Sequence, residues 1–242
     1  MTARRLLLAA ALPLAAGLAA VSGAAAAPSP DVPGPPTPAK AWVGRVLVPV
    51  TARTAPRPGA RAKVVVQPVA PFAKGPTTLL ITRSTVVDGR RWVEVLLPRR
   101  PNGSRGWIPA DVLRLRTTTL RVTIDLSDRR LTLRRAGRVV MRAPIAVGKP
   151  GTPTPTGFFA VAELVRTGMP GAFLGPVVFP LTGYSETLNE FAGGDGRVAM
   201  HGTSLPELIG TRASHGCIRL RNADIVRLSR LVRPGVPVVI RS

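Results

Sequence analysis

Glycine and proline interrupt this chain too often for long helices, with 24 Gly and 26 Pro among 242 residues. Glycine loses the most backbone freedom on ordering and proline removes an N–H donor. Short strands joined by tight turns are therefore what such a chain can form. Apolar residues make up 45%, enough for a sizeable core, which excludes wholesale disorder. The length suits one large domain or two modest ones. The single cysteine, Cys217, excludes an internal disulfide, and the only two histidines, His201 and His215, closely precede it.

Residues 1–27 read as a secretory signal peptide. Arg4 and Arg5 supply the positive start, a Leu/Ala-rich run follows from Leu6 to Val21, and Ala24–Ala27 offer small residues for cleavage. The alternative is a retained anchor helix, but the later positions are Ala, Gly and Ser, weaker than the roughly 20 strongly apolar residues a span needs. The expected location is extracytoplasmic: cell wall, periplasm or secreted, with the membrane as a partner only if the segment is retained. Residues 28–40 hold six prolines in thirteen positions. They read as a Pro-rich linker reaching roughly 40 Å at about 3.1 Å per residue.

Charge narrows the partners without selecting one. Lys and Arg total 34 against 12 acidic residues, a net +22, and Lys occurs only at positions 40, 63, 74 and 149. Such a surface attracts polyanions. With only 10 aromatic residues and no basic–aromatic interleaving, no stacking platform for nucleic acid is expected. For an exported chain, anionic wall polymers or lipid headgroups fit better. A basic surface serving solubility alone is the plain alternative.

From residue 41 to 116 short β runs alternate with turns. Strands are expected over 46–50, 63–66, 78–82, 91–97 and 106–108. Pro58-Gly59, Asp88-Gly89 and Asn102-Gly103 mark the turns. The stretches Asp88–Val95 and Gly106-Trp107-Ile108-Pro109-Ala110-Asp111 resemble a bacterial SH3-like domain, which implies a small barrel that either binds wall peptides or braces its neighbour.

A second β-rich domain is expected over 117–242. Val122, Ile124, Leu126, Leu131 and Leu133 alternate as a half-buried hairpin should, with a strand over 139–147 after the Ala136-Gly137 turn. Thr152–Gly157 reads as a rigid turn leading into a strand over 158–164. One helix is expected from Asn222 to about Val232. Asn222 is its cap and Ile225, Leu228, Leu231 and Val232 form one face; Pro234-Gly235 ends it before a final strand over 236–240.

The chemistry concentrates in Met200-His201-Gly202-Thr203 and Ser214-His215-Gly216-Cys217-Ile218-Arg219-Leu220. Cysteine attacks carbonyls as a thiolate, and an imidazole within reach can take its proton. The backbone N–H groups of Gly216 and Cys217 are candidates for holding an oxyanion. A lone cysteine is more usually a small buried hydrophobe. A free thiol in an exported chain, with both histidines within sixteen residues, shifts the balance toward catalysis. Zinc on His201, His215 and Cys217 is disfavoured, because His-Gly-Cys lacks the usual ligand spacing. Papain-like enzymes place the Cys before a distant His, and none follows Cys217. A sortase-like arrangement has the right order, but its His lies much further upstream and its Thr-Leu-x-Thr-Cys signature is absent.

His201-Gly202 followed by Ser214–Leu220 and Asn222-x-Asp224 resembles the YkuD-type L,D-transpeptidase family. Gly148–Phe158, with its Thr-Pro turn, and the glycine run 193–196 add to the resemblance, which covers residues 119–242. The implied fold is mainly β, a small SH3-like barrel followed by a β-rich catalytic domain with one C-terminal helix. The implied activity is peptidoglycan crosslinking between third residues of two stem peptides. Cys217 would be the nucleophile and His201 the general base and acid, with Gly202 orienting its ring. Ser214 and His215 would shape the Cys loop, while Arg219, Asn222 and Tyr184 would be substrate contacts or framework. Asp195 is a further candidate for orienting His201. No metal or organic cofactor is implied. An L,D-carboxypeptidase on the same substrate and a non-catalytic basic wall-binding protein are the alternatives.

Overall fold

The computed structural model describes residues 33–190 and 194–242. The expected signal peptide and residues 28–32 of the linker lie outside them. Residues Val32–Ser242 form one compact unit. Pro33 is buried, and its carbonyl accepts the Ser84 hydroxyl, so the described part of the Pro-rich segment is docked at its start. Among the described residues, no helix is long and apolar enough to cross a membrane.

The first half is an antiparallel sheet of β1 (Ala41–Val46), β2 (Val50–Arg53), β3 (Ala62–Val66), β4 (Thr78–Val87), β5 (Arg90–Leu96), β6 (Arg105–Pro109) and β7 (Leu113–Thr118), in the order β3-β2-β6-β5-β4-β1-β7. Asp88 and Gly89, both at positive φ (49° and 73°), form the tight β4–β5 turn that the Asp-Gly pair predicts. The strand expected over 46–50 is instead the break between β1 and β2. Pro49 cannot donate to a ladder, and Leu47 and Val48 are exposed. Leu79, Ile81, Val93, Val95 and Ile108 fill this sheet's core.

The second half contains β8 (Leu120–Asp125), β9 (Arg130–Arg135), β10 (Arg138–Pro144), β11 (Val147–Gly148), β12 (Gly157–Ala160), β13 (Val165–Arg166), β14 (Val177–Tyr184), β15 (Arg197–His201), β16 (Arg212–Ser214), β17 (Ile218–Arg219), α1 (Asn222–Leu231) and β18 (Pro237–Arg241). One sheet runs β10-β9-β8-β18-β12, a second runs β13-β14-β15-β17, and β11 pairs with β16. A single core joins them, from Ile124, Leu131 and Leu133 through Phe159, Phe179 and Met200 to Ile225 and Leu228 of α1.

Two differences from the sequence pattern have physical causes. Helix α1 starts at Asn222, with Arg221 in the cap position and no side-chain cap, because the Asn222 side chain is committed elsewhere. Strand β14 is buried at all eight positions, so it shows no alternation. Pro180 and Gly183 disguise it further, and the ladder to β15 shifts register between Pro180 and Tyr184.

The halves meet through Ala41, Val43, Leu80 and Leu96 packed on Ala160, with Phe158 alongside. Polar bonds add direction. Asn102 accepts the Tyr184 N–H (2.8 Å) and donates to its carbonyl (2.9 Å), while the Tyr184 hydroxyl donates to the Pro98 carbonyl (2.8 Å). Arg100 donates to the carbonyls of Ser185 and Leu188 (2.6 and 2.8 Å). Glu163, 2% exposed, accepts the N–H groups of Phe72 and Ala73 through Oε2 (3.0 and 2.8 Å). Its other oxygen lies 3.7 Å from Arg197. Replacing Glu163 with Ala strands two backbone donors and takes from the half-buried Arg197 guanidinium its buried carboxylate neighbour. It is expected to destabilise the protein by about 3 kcal/mol in urea unfolding; a change below about 0.5 kcal/mol would show that the carboxylate does not secure this junction.

Candidate active site

Two short strands bring the reactive residues together. β15 and β17 pair in parallel, with Met200 opposite Ile218 and His201 opposite Arg219, and Cys217 stands immediately before β17. The His201 carbonyl accepts the Leu220 N–H (2.8 Å), which continues the ladder. His201, His215, Cys217 and Arg219 thereby line one cavity of about 370 Å³.

The His-Gly step is held by close packing. A Cβ on Gly202 would overlap Asn222 Oδ1, and one on Gly175, which sits at positive φ (63°), would overlap the same atom. Asn222 Oδ1 accepts the Thr203 N–H (2.9 Å), and its amide donates to the Pro170 carbonyl (2.9 Å). Asn222 therefore pins the segment after His201 to the 167–175 loop. It does not line the cavity.

His201 is 1% exposed, and its Nδ1 lies 2.6 Å from the Gly202 carbonyl. A carbonyl only accepts, so Nδ1 carries the proton and Nε2 is left as the basic nitrogen. Burial lowers the imidazole pKa to about 4. The Gly202 carbonyl opposes that shift, Arg219 reinforces it, and the Leu174 carbonyl opposes it weakly. Asp195 takes no part in this. It accepts the Arg197 N–H (3.2 Å) and lies 3.9 Å from the Arg197 guanidinium.

The Cys loop is tied by Ser214, whose hydroxyl donates to the Cys217 carbonyl (2.6 Å) and accepts the Gly216 N–H (3.1 Å). Gly216 sits at φ 112°, where a side chain would be strained. Its amide is engaged, so it would have to exchange Ser214 for an oxyanion. The Thr-Pro turn braces the same loop: the Lys149 N–H and Thr152 hydroxyl both donate to the Ser214 carbonyl (3.0 and 3.3 Å). The Gly148 N–H donates to Thr154 (2.9 Å), and the turn closes so tightly that any Cβ on Gly148 would overlap its backbone.

Electrostatics in the cavity favour neutral partners at rest. Burial pushes the Cys217 thiol above its ordinary range, against the Ala199 backbone donor and the Arg219 charge, which both favour the thiolate. Among the described residues, no hydrogen bond joins Sγ to the His201 ring; such bonds often tighten only when substrate binds. Arg219 is 4% exposed, its Nε has no hydrogen-bond partner, and its guanidinium lies 4.8 Å from the Phe173 ring centre. Burial lowers its pKa, while Cys217 raises it. His215 is half-buried and faces the cavity, its pKa lowered by burial, then by Lys149 and Arg219.

Not every expected site residue reaches this cavity. Tyr184 is buried between the two halves, bonded to Pro98 and accepting from Arg197 (2.8 Å), and is neither a cavity wall nor a surface turn. Phe173, whose ring centre lies 6.2 Å from that of His201, was not anticipated, nor were Phe72 and Arg197. For Phe173 the available signal was an apolar pair inside the Gly/Pro-rich stretch 168–176. Phe72 carried none. Among the described residues, no cluster of three His, Cys, Asp or Glu side chains could hold a metal ion.

A model of the YkuD L,D-transpeptidase catalytic domain matches residues 119–240, half of the chain. The YkuD protein of Bacillus licheniformis is 32% identical over 164 residues, covering 65% of this chain and 91% of its own. YkuD of Bacillus subtilis is 35% identical over 124 residues, covering 51% and 67% respectively. A solved catalytic domain of an E. faecium L,D-transpeptidase shares 25% identity, covering 50% of this chain and 96% of its own at a TM-score of 0.37. The chain belongs to the YkuD family of L,D-transpeptidase catalytic domains.

The two pKa directions have a kinetic signature. With a neutral imidazole above about pH 4 and a thiol raised above its ordinary range, alkylation of Cys217 by iodoacetamide should keep rising into the alkaline range. A thiolate–imidazolium pair would instead react at full rate already near pH 6, and such an early plateau would overturn the neutral-pair assignment.

Proposed function

We propose that this protein is an exported peptidoglycan L,D-transpeptidase that forms 3→3 crosslinks between stem peptides through an acyl-enzyme on Cys217. The observation that carries the reading is the His201 Nδ1–Gly202 carbonyl contact of 2.6 Å in a cavity shared with Cys217. It leaves Nε2 as the base.

The thiol and the imidazole both start neutral, so the proton moves as the bond forms. Cys217 Sγ attacks the carbonyl carbon of the donor's third residue, and Nε2 of His201 takes the thiol proton. Negative charge collects on the former carbonyl oxygen, and the Cys217 N–H, with that of Gly216 once released from Ser214, would receive it. Collapse breaks the peptide bond, and His201 returns its proton to the leaving D-Ala amine. The amine of a second stem then attacks the thioester. His201 takes the amine's proton and delivers it to the departing sulfur. Arg219, buried beside Cys217 with an unpaired Nε, favours the sulfur's negative charge at each passage.

Residues 41–116 are read as an SH3-like module, its last strand β7 running on to Thr118, and 117–242 as the catalytic domain, with the shared apolar and polar junction supporting a bracing role for the first. Incubating the mature protein with disaccharide-tetrapeptide, beside Cys217→Ala, tests the reaction. A wild-type adduct with D-Ala release and a dimer is expected. D-Ala release without dimer would make the enzyme an L,D-carboxypeptidase, and no adduct from folded protein would leave a basic wall-binding protein.

The same reading includes an anionic wall polymer as partner. Arg45 lies directly opposite Arg114, Arg116 follows two residues on, and Arg233 completes the basic wall of a groove of about 470 Å³. Like charges facing across a ladder are costly unless an anion lies between them. An Arg45→Gln/Arg114→Gln variant should bind a phosphodiester-bearing wall polymer severalfold more weakly at about 0.1 M salt. Equal binding would rule out this groove.

A further inference from the structure

We propose that the module preceding the catalytic domain completes the substrate site, with Phe72 as a specificity-determining contact for the peptide part of the donor stem. The inference rests on the transpeptidase reading and assigns one wall of its cavity to a residue outside the family-matched segment 119–240.

Phe72 sits in the loop between β3 and β4 and lines the same cavity as Cys217 and His201. It is 56% exposed, yet two groups of the other half hold it in place. The buried Glu163 carboxylate holds the N–H groups of Phe72 and of Ala73. The Arg197 guanidinium lies 5.5 Å from the Phe72 ring centre and 5.3 Å from that of Tyr184. Arg197 in turn donates to the Tyr184 hydroxyl (2.8 Å), whose own proton goes to Pro98.

An exposed aromatic ring usually moves freely. Here the buried carboxylate fixes the main chain that carries the ring and the Arg197 cation faces the ring itself, so less freedom remains to be lost when something packs on it. The walls nearby include Val165, Val178 and Leu188, which suit aliphatic side chains and a peptide backbone better than sugar hydroxyls. The cavity thus extends from the thiol to a pre-placed ring on the other module. A donor peptide that fills this cavity from Cys217 outward would meet Phe72.

The test compares wild type, Phe72→Ala and Phe72→Leu at several concentrations of free tetrapeptide stem, following Cys217 acylation by intact mass. Iodoacetamide alkylation of the thiol is measured in parallel. Phe72→Ala is expected to lower kcat/KM about 5- to 10-fold through KM, with alkylation unchanged, and Phe72→Leu to recover most of the loss. Wild-type acylation kinetics in Phe72→Ala would overturn the proposal. So would a loss seen only with disaccharide-linked peptide, which would make the ring a sugar platform, or an equal fall in alkylation, which would mean a disturbed site. Failure of the wild type itself to be acylated would overturn the transpeptidase reading and this inference with it.

Discussion

The parallel pairing of β15 with β17 sets His201 beside Arg219 and brings Cys217 to the neighbouring position. A parallel ladder needs a crossover, and here residues 202–216 provide it, with a short 3-10 turn at Pro206–Leu208 on the way. These fifteen residues are folded away so that His201, Cys217 and Arg219 line one cavity. The surrounding contacts keep that ladder in register. Asn222 grips the chain just after His201, Ser214 closes the Cys loop, and the Thr-Pro turn presses on the strand before it.

Burial then sets the chemistry. The same desolvation that lowers the His201 pKa to about 4 raises that of Cys217, so each group is driven toward its neutral form. The Gly202 carbonyl has a larger effect on the tautomer than on the charge, since it claims the Nδ1 proton and frees Nε2. Arg219 opposes protonation of the ring and favours the thiolate. A buried cation with an unmet Nε therefore works in the direction that nucleophilic attack requires.

The junction between the two halves follows a different rule. Its apolar part is small, and it is the polar bonds of Asn102, Arg100 and Glu163, each to backbone on the other half, that give it one orientation. Backbone partners cannot swing away as side chains can, so a few such bonds hold a loop tip against the catalytic cavity. Tyr184 belongs to this junction, which explains why a tyrosine seventeen residues before His201 is buried without touching the reactive groups.

Much of this was legible in the chain itself. Hairpin turns at Asp88-Gly89 and Ala136-Gly137 follow from their glycines, which adopt positive φ freely, and the alternating strands around them follow from a period of two. A pairing of Cys217 with a histidine is suggested by local spacing, as are the glycines beside it, whereas the particular role expected of His201 rests on the family resemblance. Strand β14 was hidden because complete burial erases alternation, and Pro180 and Gly183 read as breaks. The break at Leu47–Pro49 looks like strand in sequence because Leu47 and Val48 are apolar, although both are exposed. The protonation states, the orienting carbonyl and the placement of Phe72, Phe173 and Arg197 depend on which surfaces are desolvated and which distant loops meet. Those are properties of packing between segments as much as 125 residues apart, as Phe72 and Arg197 are; a one-dimensional pattern carries residue types and spacing, and only the tertiary fold decides what each group faces.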